Sequence, residues 1–318
     1  MDYTTLGRTG LKVSTAGLGC GGHSRLGQSY GHSFEQSVEV VRAAIDAGVN
    51  FIDTAAVYHT EEIVGAAVKG CRDSVVISSK LGIVRPGTSA LGEEYLTSNE
   101  YVALAEKNLA RLGTDHIDVF HLHGVMPGQY AYCREELVPA LIRLREQGKI
   151  RFFGLTERFI HDPQHRMLQT ALKDDCWDVV MTGFNMINPS ARDRVLKVTK
   201  DRNIGTLIMF AVRRALGSAE ASAEIVRELA GRGEIDASTL APSNPLGFLE
   251  EPGVATSVVE AAYRFCRHGA GVDLVLTGTG SVEHLAENLA SLSRPPLPQE
   301  TLARLDRVFG TVDSVSGN

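Results

Sequence analysis

Eight short apolar segments alternate with longer segments of helical periodicity along nearly the whole chain, and this alternation restricts the fold more than any other feature. Such repeats are typical of βα units, whose strands run parallel. Because eight units can close a sheet into a cylinder, the sequence predicts an α/β fold of the (β/α)8 TIM-barrel type. The predicted strands are residues 15–19, 49–53, 74–80, 117–123, 150–155, 178–185, 205–210 and 273–277.

Capping residues mark where several of the helices begin. Ser33 with Gln36, and Thr97 with Glu100, have the spacing of a capping box. Glycines just past the periodic segments indicate helix ends. The predicted helices lie between 33 and 48, at 61–69, between 97 and 113, and at 135–147, 164–172, 191–201, 256–268 and 282–291.

Two segments fall outside the repeat. Residues 3–14 read as a β-hairpin before the first barrel strand, and we expect this hairpin to cover the barrel floor. Residues 216–253 form a long insertion after the seventh strand, with a helical stretch at 219–229 and a run rich in Pro, Gly and Ser. No segment has the biased composition of a linker, so residues 1–318 are predicted to form one barrel domain.

The charge balance argues against nucleic-acid binding, because 32 Lys+Arg against 38 Asp+Glu leave a net charge of −6. Residues 1–14 carry charges where a targeting peptide would be apolar, and no window is long and apolar enough to span a membrane. The five cysteines are scattered without a CxxC pair, which favours reduced thiols over disulfides or a zinc site. We therefore expect a cytoplasmic protein without a membrane partner, whether monomer or homo-oligomer.

Four polar residues lie at the ends of successive predicted strands: Asp53, Lys80 and His123 directly, and Tyr58 five residues after Asp53. The carboxyl ends of barrel strands form the active-site face. A cation held near a phenol favours the phenolate, so this set predicts a general acid with a tunable pKa. Each residue alone has a structural explanation, such as a turn cap, a solvated strand end, a surface aromatic or a core histidine. Their joint placement favours function.

His121 and His123 form an H-x-H pair whose side chains face the same side of a strand. Barrel hydrolases use such pairs, and Lys80 or Asp53 could complete a divalent site, so metal-assisted hydrolysis is an alternative. Tyr58 has no assigned role in that chemistry. The sequence therefore favours a site without a metal.

The sequence resembles the aldo-keto reductases, a family of nicotinamide-dependent barrels with an Asp, Tyr, Lys and His tetrad. The resemblance rests on residues 6–14, 48–55, 76–80, 115–123 and 283–288, which are spread nearly end to end. It implies an NAD(P)-dependent oxidoreductase that interconverts an aldehyde or ketone and the alcohol. The implied partner is a small-molecule carbonyl substrate.

The resemblance also implies a role for each member of the tetrad. Tyr58 would donate a proton to the carbonyl oxygen in reduction and act as the base in the reverse direction. Lys80 would lower the pKa of Tyr58, and Asp53 would keep Lys80 charged and oriented. His123 would hydrogen-bond the substrate oxygen.

The chain departs from the family at the residues that bind the nicotinamide carboxamide. Thr156 and Glu157 occupy the positions of a Ser-Asn pair, and Met181 occupies the position of a Gln. A thioether offers almost no hydrogen bond, and an ionised Glu only accepts. Phe210 stands where the family stacks a Tyr on the nicotinamide, and a phenyl ring can still stack there.

The remaining predicted cofactor contacts lie around the first, seventh and eighth strands. Gly21 belongs to a Gly-rich turn that lets the backbone approach a ligand closely, and Arg213 and Arg214 are candidates for the cofactor phosphates. At the last barrel helix the resemblance implies contacts from Gly278, Ser281, His284, Glu287 and Asn288. Without an Arg or Lys at this helix start, the choice between NADP and NAD stays open.

The polar residues His23, Arg25 and Glu157 suggest a hydroxylated substrate such as a sugar or sugar-derived carbonyl. A second hypothesis follows from the altered carboxamide residues: a barrel that binds the cofactor as a sensor or regulatory subunit with little turnover. The complete tetrad favours the enzyme.

Overall fold

The strands and helices follow the predicted alternation in a computed structural model that describes residues 1–318. The strands are β1 (Tyr3–Thr5), β2 (Lys12–Ser14), β3 (Ala16–Gly19), β4 (Phe51–Asp53), β5 (Val76–Gly82), β6 (Ile117–Val125), β7 (Ile150–Glu157), β8 (Val179–Gly183), β9 (Gly205–Met209) and β10 (Leu274–Thr277). The helices are α1 (Phe34–Asp46), α2 (Glu61–Val68), α3 (Ser98–Leu112), α4 (Tyr130–Tyr132), α5 (Val138–Glu146), α6 (Arg166–Ala171), α7 (Lys197–Asp201), α8 (Ala219–Gly231), α9 (Val258–Arg267), α10 (Val282–Leu292) and α11 (Gln299–Phe309).

Eight strands close into a parallel barrel in the order β10-β3-β4-β5-β6-β7-β8-β9. Strand β10 pairs with both β3 and β9, so the first and last barrel strands close the cylinder. Strands β1 and β2 form a separate antiparallel hairpin. The predicted (β/α)8 barrel with an N-terminal hairpin is confirmed.

Several boundaries differ from the sequence-based ones. Strands β6 and β7 continue pairing through Val125 and Glu157, past an irregularity after Leu122. The helix predicted to begin at residue 135 begins at Tyr130, and passes through a π-helical segment (Cys133–Leu137) before α5. Pro139 lies at the start of α5. Because proline cannot donate the regular helical hydrogen bond, the irregular turn precedes it. Helix α11 was not predicted.

The N-terminal hairpin covers the barrel floor, as predicted. Leu6 and Val13 are fully buried in an apolar cluster with interior side chains of the strands. Gly7 has φ +44° and sits against the backbone of Gly205, where a Cβ would lie 2.1 Å from the amide nitrogen. The cluster is completed by Leu11, Phe51, Val76, Val119, Val179, Met181, Leu207 and Leu274.

A larger apolar layer lies between the outer faces of the strands and the helices. The insertion after β9 joins this layer through Leu246 and Leu249, which are fully buried. The polar ends of the strands therefore lie between this outer apolar layer and the apolar floor.

No helix combines the length and the apolar character needed to cross a membrane.

Replacing Leu6 with Ala should lower the free energy of unfolding by about 2–5 kcal/mol, because a fully buried side chain is removed from the floor cluster. Chemical denaturation followed by circular dichroism measures the change. Leu91→Ala is the matched control, since Leu91 is 48% exposed. Equal stability of the two variants would contradict the covering role of the hairpin.

Candidate active site

The centre of the site is an ion pair between Lys80 on β5 and Asp53 on β4. Lys80 Nζ lies 2.6 Å from Asp53 Oδ2, and both side chains are almost completely buried. Lys80 Nζ also donates to the Thr54 carbonyl oxygen at 2.9 Å, and Ser78 Oγ donates to Asp53 Oδ1 at 2.8 Å. Because Asp53 and Ser78 pair across the strands, the two-residue alternation brings Lys80 to the same interior face.

Tyr58 reaches the site from a short 3-10 turn (Ala56–Tyr58) after β4. Its hydroxyl lies 3.4 Å from Nε2 of His123, and Lys80 Nζ lies 5.0 Å from the centre of its ring. Gly21 packs against this ring, and a Cβ there would lie 2.5 Å from it. The structure thus brings the four predicted catalytic residues together, and shows Gly21 in contact with Tyr58.

The surroundings set the protonation state of each group. Burial acts to lower the pKa of Lys80, but the Asp53 carboxylate and Tyr58 outweigh this effect and hold that pKa above its usual value. Burial raises the pKa of Tyr58, and the Lys80 ammonium opposes part of that rise. The phenol is therefore protonated at neutral pH, and the cation beside it stabilises the phenolate once a proton leaves.

Burial, with the nearby cations Lys80 and Arg158, lowers the pKa of His123 to about 3. The ring is neutral at physiological pH, so one nitrogen donates a hydrogen bond and the other accepts. This state suits a group that holds a carbonyl oxygen.

The H-x-H pair does not assemble the donors that the hydrolase alternative requires. His121 is fully buried below His123, and neither of its ring nitrogens has a hydrogen-bond partner. Lys80 and Asp53, the suggested further ligands, are paired with each other. No group of three or more His, Cys, Asp or Glu side chains is arranged to hold a metal ion.

The Glu157 carboxylate is bound within the wall of the barrel. Its Oε1 accepts hydrogen bonds from Thr182 Oγ1 and the Gly183 amide, both at 2.8 Å, and His165 Nδ1 lies 2.9 Å away. Alternation along β7 turns Glu157 outward where Thr156 turns inward. The Glu157 carboxylate is thus bonded to protein groups in the wall, and its contact with the cofactor stays a prediction.

Thr156 lies at the mouth, where its Oγ1 accepts a hydrogen bond from the Gly124 amide at 2.7 Å. Its hydroxyl proton stays free to donate. Met181 packs in the apolar floor cluster. Of the three carboxamide positions, only Thr156 presents a polar group to the interior.

Phe210 follows β9 in the left-handed backbone region, with φ +65°. Its ring packs edge-on to Phe159 at 5.5 Å, and Phe159 stacks on His165 at 5.1 Å. The Arg213 guanidinium lies 4.1 Å from the centre of the Phe210 ring. Phe210 is thus connected to Glu157 by a chain of contacts through Phe159 and His165.

The two arginines after β9 differ in their contacts. Arg213 donates from Nε and Nη2 to Asn318 Oδ1 at 3.0 and 2.5 Å. Arg214 is exposed and pairs with Glu224 in the insertion at 3.1 Å. Arg213 is the one directed at the mouth of the barrel.

The start of α10 adjoins the first barrel loop. Ser281 caps the helix by accepting from the His284 amide at 3.2 Å. Gly278 approaches the carbonyl of Gly19, and a Cβ on Gly280 would lie 2.4 Å from Gly27. Thr279 Oγ1 accepts from the Ser281 amide at 3.0 Å, so small residues let the loop after β10 pack closely on the first barrel loop. Further along the helix, His284 and Glu287 are exposed and Asn288 is partly exposed.

The two other residues proposed for the substrate side lie in the loop after β3. His23 is exposed and packs edge-on to Tyr30 at 6.1 Å. Arg25 is exposed and has φ +46°. Neither contacts the tetrad.

A model of the Aldo/keto reductase family matches residues 18–309. The chain belongs to the aldo/keto reductase family. Aldo-keto reductase YhdN of Bacillus subtilis (strain 168) is 28% identical over 304 residues, covering 90% of this chain and 88% of that protein. L-galactose dehydrogenase of Arabidopsis thaliana is 25% identical over 336 residues, covering 99% of this chain and 97% of the other.

Among solved structures, an aldo/keto reductase from Klebsiella pneumoniae in complex with NADP and acetate shares the fold, with a TM-score of 0.67 at 23% identity. The match covers 99% of this chain and 98% of that chain. Aldo-keto reductases are oxidoreductases that use NAD or NADP.

The side chains at the mouth fit such a cofactor in most respects. Phe210 offers an aromatic face, and Arg213 beside it offers a cation for a phosphate. Thr156 can donate to an amide oxygen. The fit differs from the family pattern where Met181 replaces a hydrogen-bonding side chain with an apolar one.

Sequence reasoning missed several residues of the site. Ser78 and Thr54 bind the ion pair, and strand alternation from Lys80 could have indicated Ser78. Arg158 and His165 had no motif that marked them. Their roles depend on which strands and loops lie next to one another.

Gly21→Ala should lower oxidoreductase turnover by about tenfold or more, because the new Cβ would force the Tyr58 ring away from His123. Steady-state kinetics with NADH or NADPH measures the effect. Gly82→Ala is the matched control, since a Cβ there meets nothing within 4 Å. Turnover of Gly21→Ala equal to that of the control would show that Tyr58 does not need its observed position.

Proposed function

We propose that this aldo-keto reductase interconverts an aldehyde or ketone and the corresponding alcohol with NAD or NADP, and that Tyr58 is the general acid and base. One observation carries the proposal: the Tyr58 hydroxyl lies 3.4 Å from His123 and beside the buried Lys80–Asp53 pair. These groups converge at the strand ends, where barrel enzymes bind their substrates.

The cofactor, when bound, supplies or accepts a hydride at the nicotinamide ring. Phe210 and Thr156 would hold that ring, and Arg213 with the start of α10 would hold the phosphates. In reduction, the Tyr58 hydroxyl gives its proton to the carbonyl oxygen, and in oxidation the phenolate takes the alcohol proton.

The other tetrad residues make this proton transfer possible. Lys80 stabilises the phenolate that remains on Tyr58, and Asp53 keeps Lys80 charged inside the barrel. The neutral His123 donates a hydrogen bond to the same substrate oxygen, which holds the oxygen near the Tyr58 proton. The low polarity around the pair strengthens these interactions.

A hydroxylated carbonyl compound, such as a sugar or sugar-derived aldehyde, is the substrate class we propose within this reaction. The support is the likeness to a protein named L-galactose dehydrogenase over 99% of this chain. The exposed His23 and Arg25 in the loop after β3 do not contact the tetrad, so this substrate class rests on that likeness.

Tyr58→Phe should lower kcat by about 10²- to 10⁴-fold and leave cofactor affinity nearly unchanged, because only the proton donor is removed. Turnover on a panel of aldehydes, ketones and polyols, with cofactor binding by fluorescence titration, measures both. Full activity of the variant would remove Tyr58 from the mechanism. Tight cofactor binding by the wild-type chain with no turnover on any compound would favour the sensor hypothesis.

Lys80→Met should move the pH profile of alcohol oxidation to higher pH, because Lys80 lowers the pKa of Tyr58 and its loss lets that pKa rise. At a fixed pH near neutrality the variant oxidises alcohol more slowly, since less phenolate is present. The double variant Asp53→Asn/Lys80→Met controls for the carboxylate that the single change leaves unpaired. An unshifted profile in both variants would contradict the role of Lys80.

A further inference from the structure

Two guanidinium groups flank the tetrad without an acidic partner. Arg158 follows β7, and its Nε donates to the carbonyl oxygen of Gly124, the residue after His123, at 3.3 Å. Arg213 lies over Phe210 and bonds an uncharged amide oxygen. Neither guanidinium lies within ion-pair distance of a carboxylate, so these two give the mouth of the barrel a positive charge without a carboxylate beside it.

The carboxylates nearest to Arg158 along the chain are engaged elsewhere. Glu157 accepts from Thr182, Gly183 and His165 inside the wall. Asp162 Oδ2 accepts from the Met167 amide at 2.8 Å, at the start of α6. The Arg158 guanidinium is therefore half-buried with one carbonyl oxygen as its hydrogen-bond partner, and its other N–H groups stay free.

Removing a cation from water is costly unless an anion approaches it. The cofactor phosphates are not that anion, because their proposed contacts lie elsewhere on the rim: Arg213 follows β9 and α10 follows β10, whereas Arg158 follows β7. Strand β8 separates β7 from β9, and β8 and β9 separate β7 from β10. Arg158 instead bonds the residue after His123, and its charge helps to lower the pKa of the His123 ring, the group proposed to hold the reacting oxygen. An anion at Arg158 would belong to the substrate.

We propose that Arg158 binds an anionic group of the substrate, a carboxylate or a phosphate, so that the enzyme prefers carbonyl compounds carrying a negative charge. This inference rests on the proposed function, since it names a feature of the substrate for the same site. A planar guanidinium suits both oxyanions, because it can donate two parallel hydrogen bonds.

Paired substrates that differ in the charged group test the proposal. Carboxybenzaldehyde against its methyl ester tests the carboxylate, and glyceraldehyde 3-phosphate against glyceraldehyde tests the phosphate. The readout is the ratio of kcat/KM for the charged member to that for the neutral member. Arg158→Gln should lower this ratio by about tenfold or more for the anion that the site prefers, and Arg158→Lys should keep part of it.

Arg42→Gln is the matched control, because Arg42 lies on α1 outside the barrel and its only side-chain hydrogen bond goes to the Ala66 carbonyl. The control should show the wild-type ratio. A wild-type preference for the neutral members of both pairs, or a ratio that Arg158→Gln leaves unchanged, would overturn the proposal.

A binding measurement separates this inference from the proposed function. Calorimetric titration of benzoate and of inorganic phosphate into the complex of the protein with NADH or NADPH needs no turnover. If no carbonyl compound reacts but one anion binds at least tenfold more weakly to Arg158→Gln, the proposed reaction fails and the anion subsite stands. If neither anion distinguishes the variant from wild type, the subsite fails whether or not the enzyme turns over.

Discussion

The buried pair of Lys80 and Asp53 is the interaction on which the rest of the site depends. Placing two charges inside the barrel costs several kcal/mol for each ion, and the cost is offset only when geometry and hydrogen bonding are good. Here the 2.6 Å contact is supplemented by Ser78 and by the Thr54 carbonyl. Removing either charge would leave the other buried and unpaired. The contact between the two side chains depends on the register of β4 and β5, in which Asp53 lies opposite Ser78.

The barrel interior supports this pair by its division into two layers. The lower layer is apolar and is closed from below by the hairpin through Leu6 and Val13. The upper layer holds the tetrad at the carboxyl ends of the strands. Because water is excluded from beneath, the charge on Lys80 acts on Tyr58 across a medium of low polarity, where electrostatic effects are strong.

The residues that depart from the family pattern belong to one connected part of the wall. Glu157 binds His165, which stacks on Phe159, and Phe159 supports Phe210. The loss of a polar side chain at Met181 extends the apolar floor upward. Next to this wall, Arg158 lies at the mouth without an acidic partner.

Local patterns in the chain were enough to predict the barrel and the hairpin, because strand and helix periodicities are local. The four tetrad residues were predicted from the shared face of the strand ends together with the family resemblance. The fold was needed to show which groups Glu157 meets in the wall, that Gly21 packs on Tyr58, and that Arg158 has no acidic partner. The physical reason is that these features depend on which groups meet across neighbouring strands and loops, and on the exact strand lengths of β6 and β7, which no local pattern encodes.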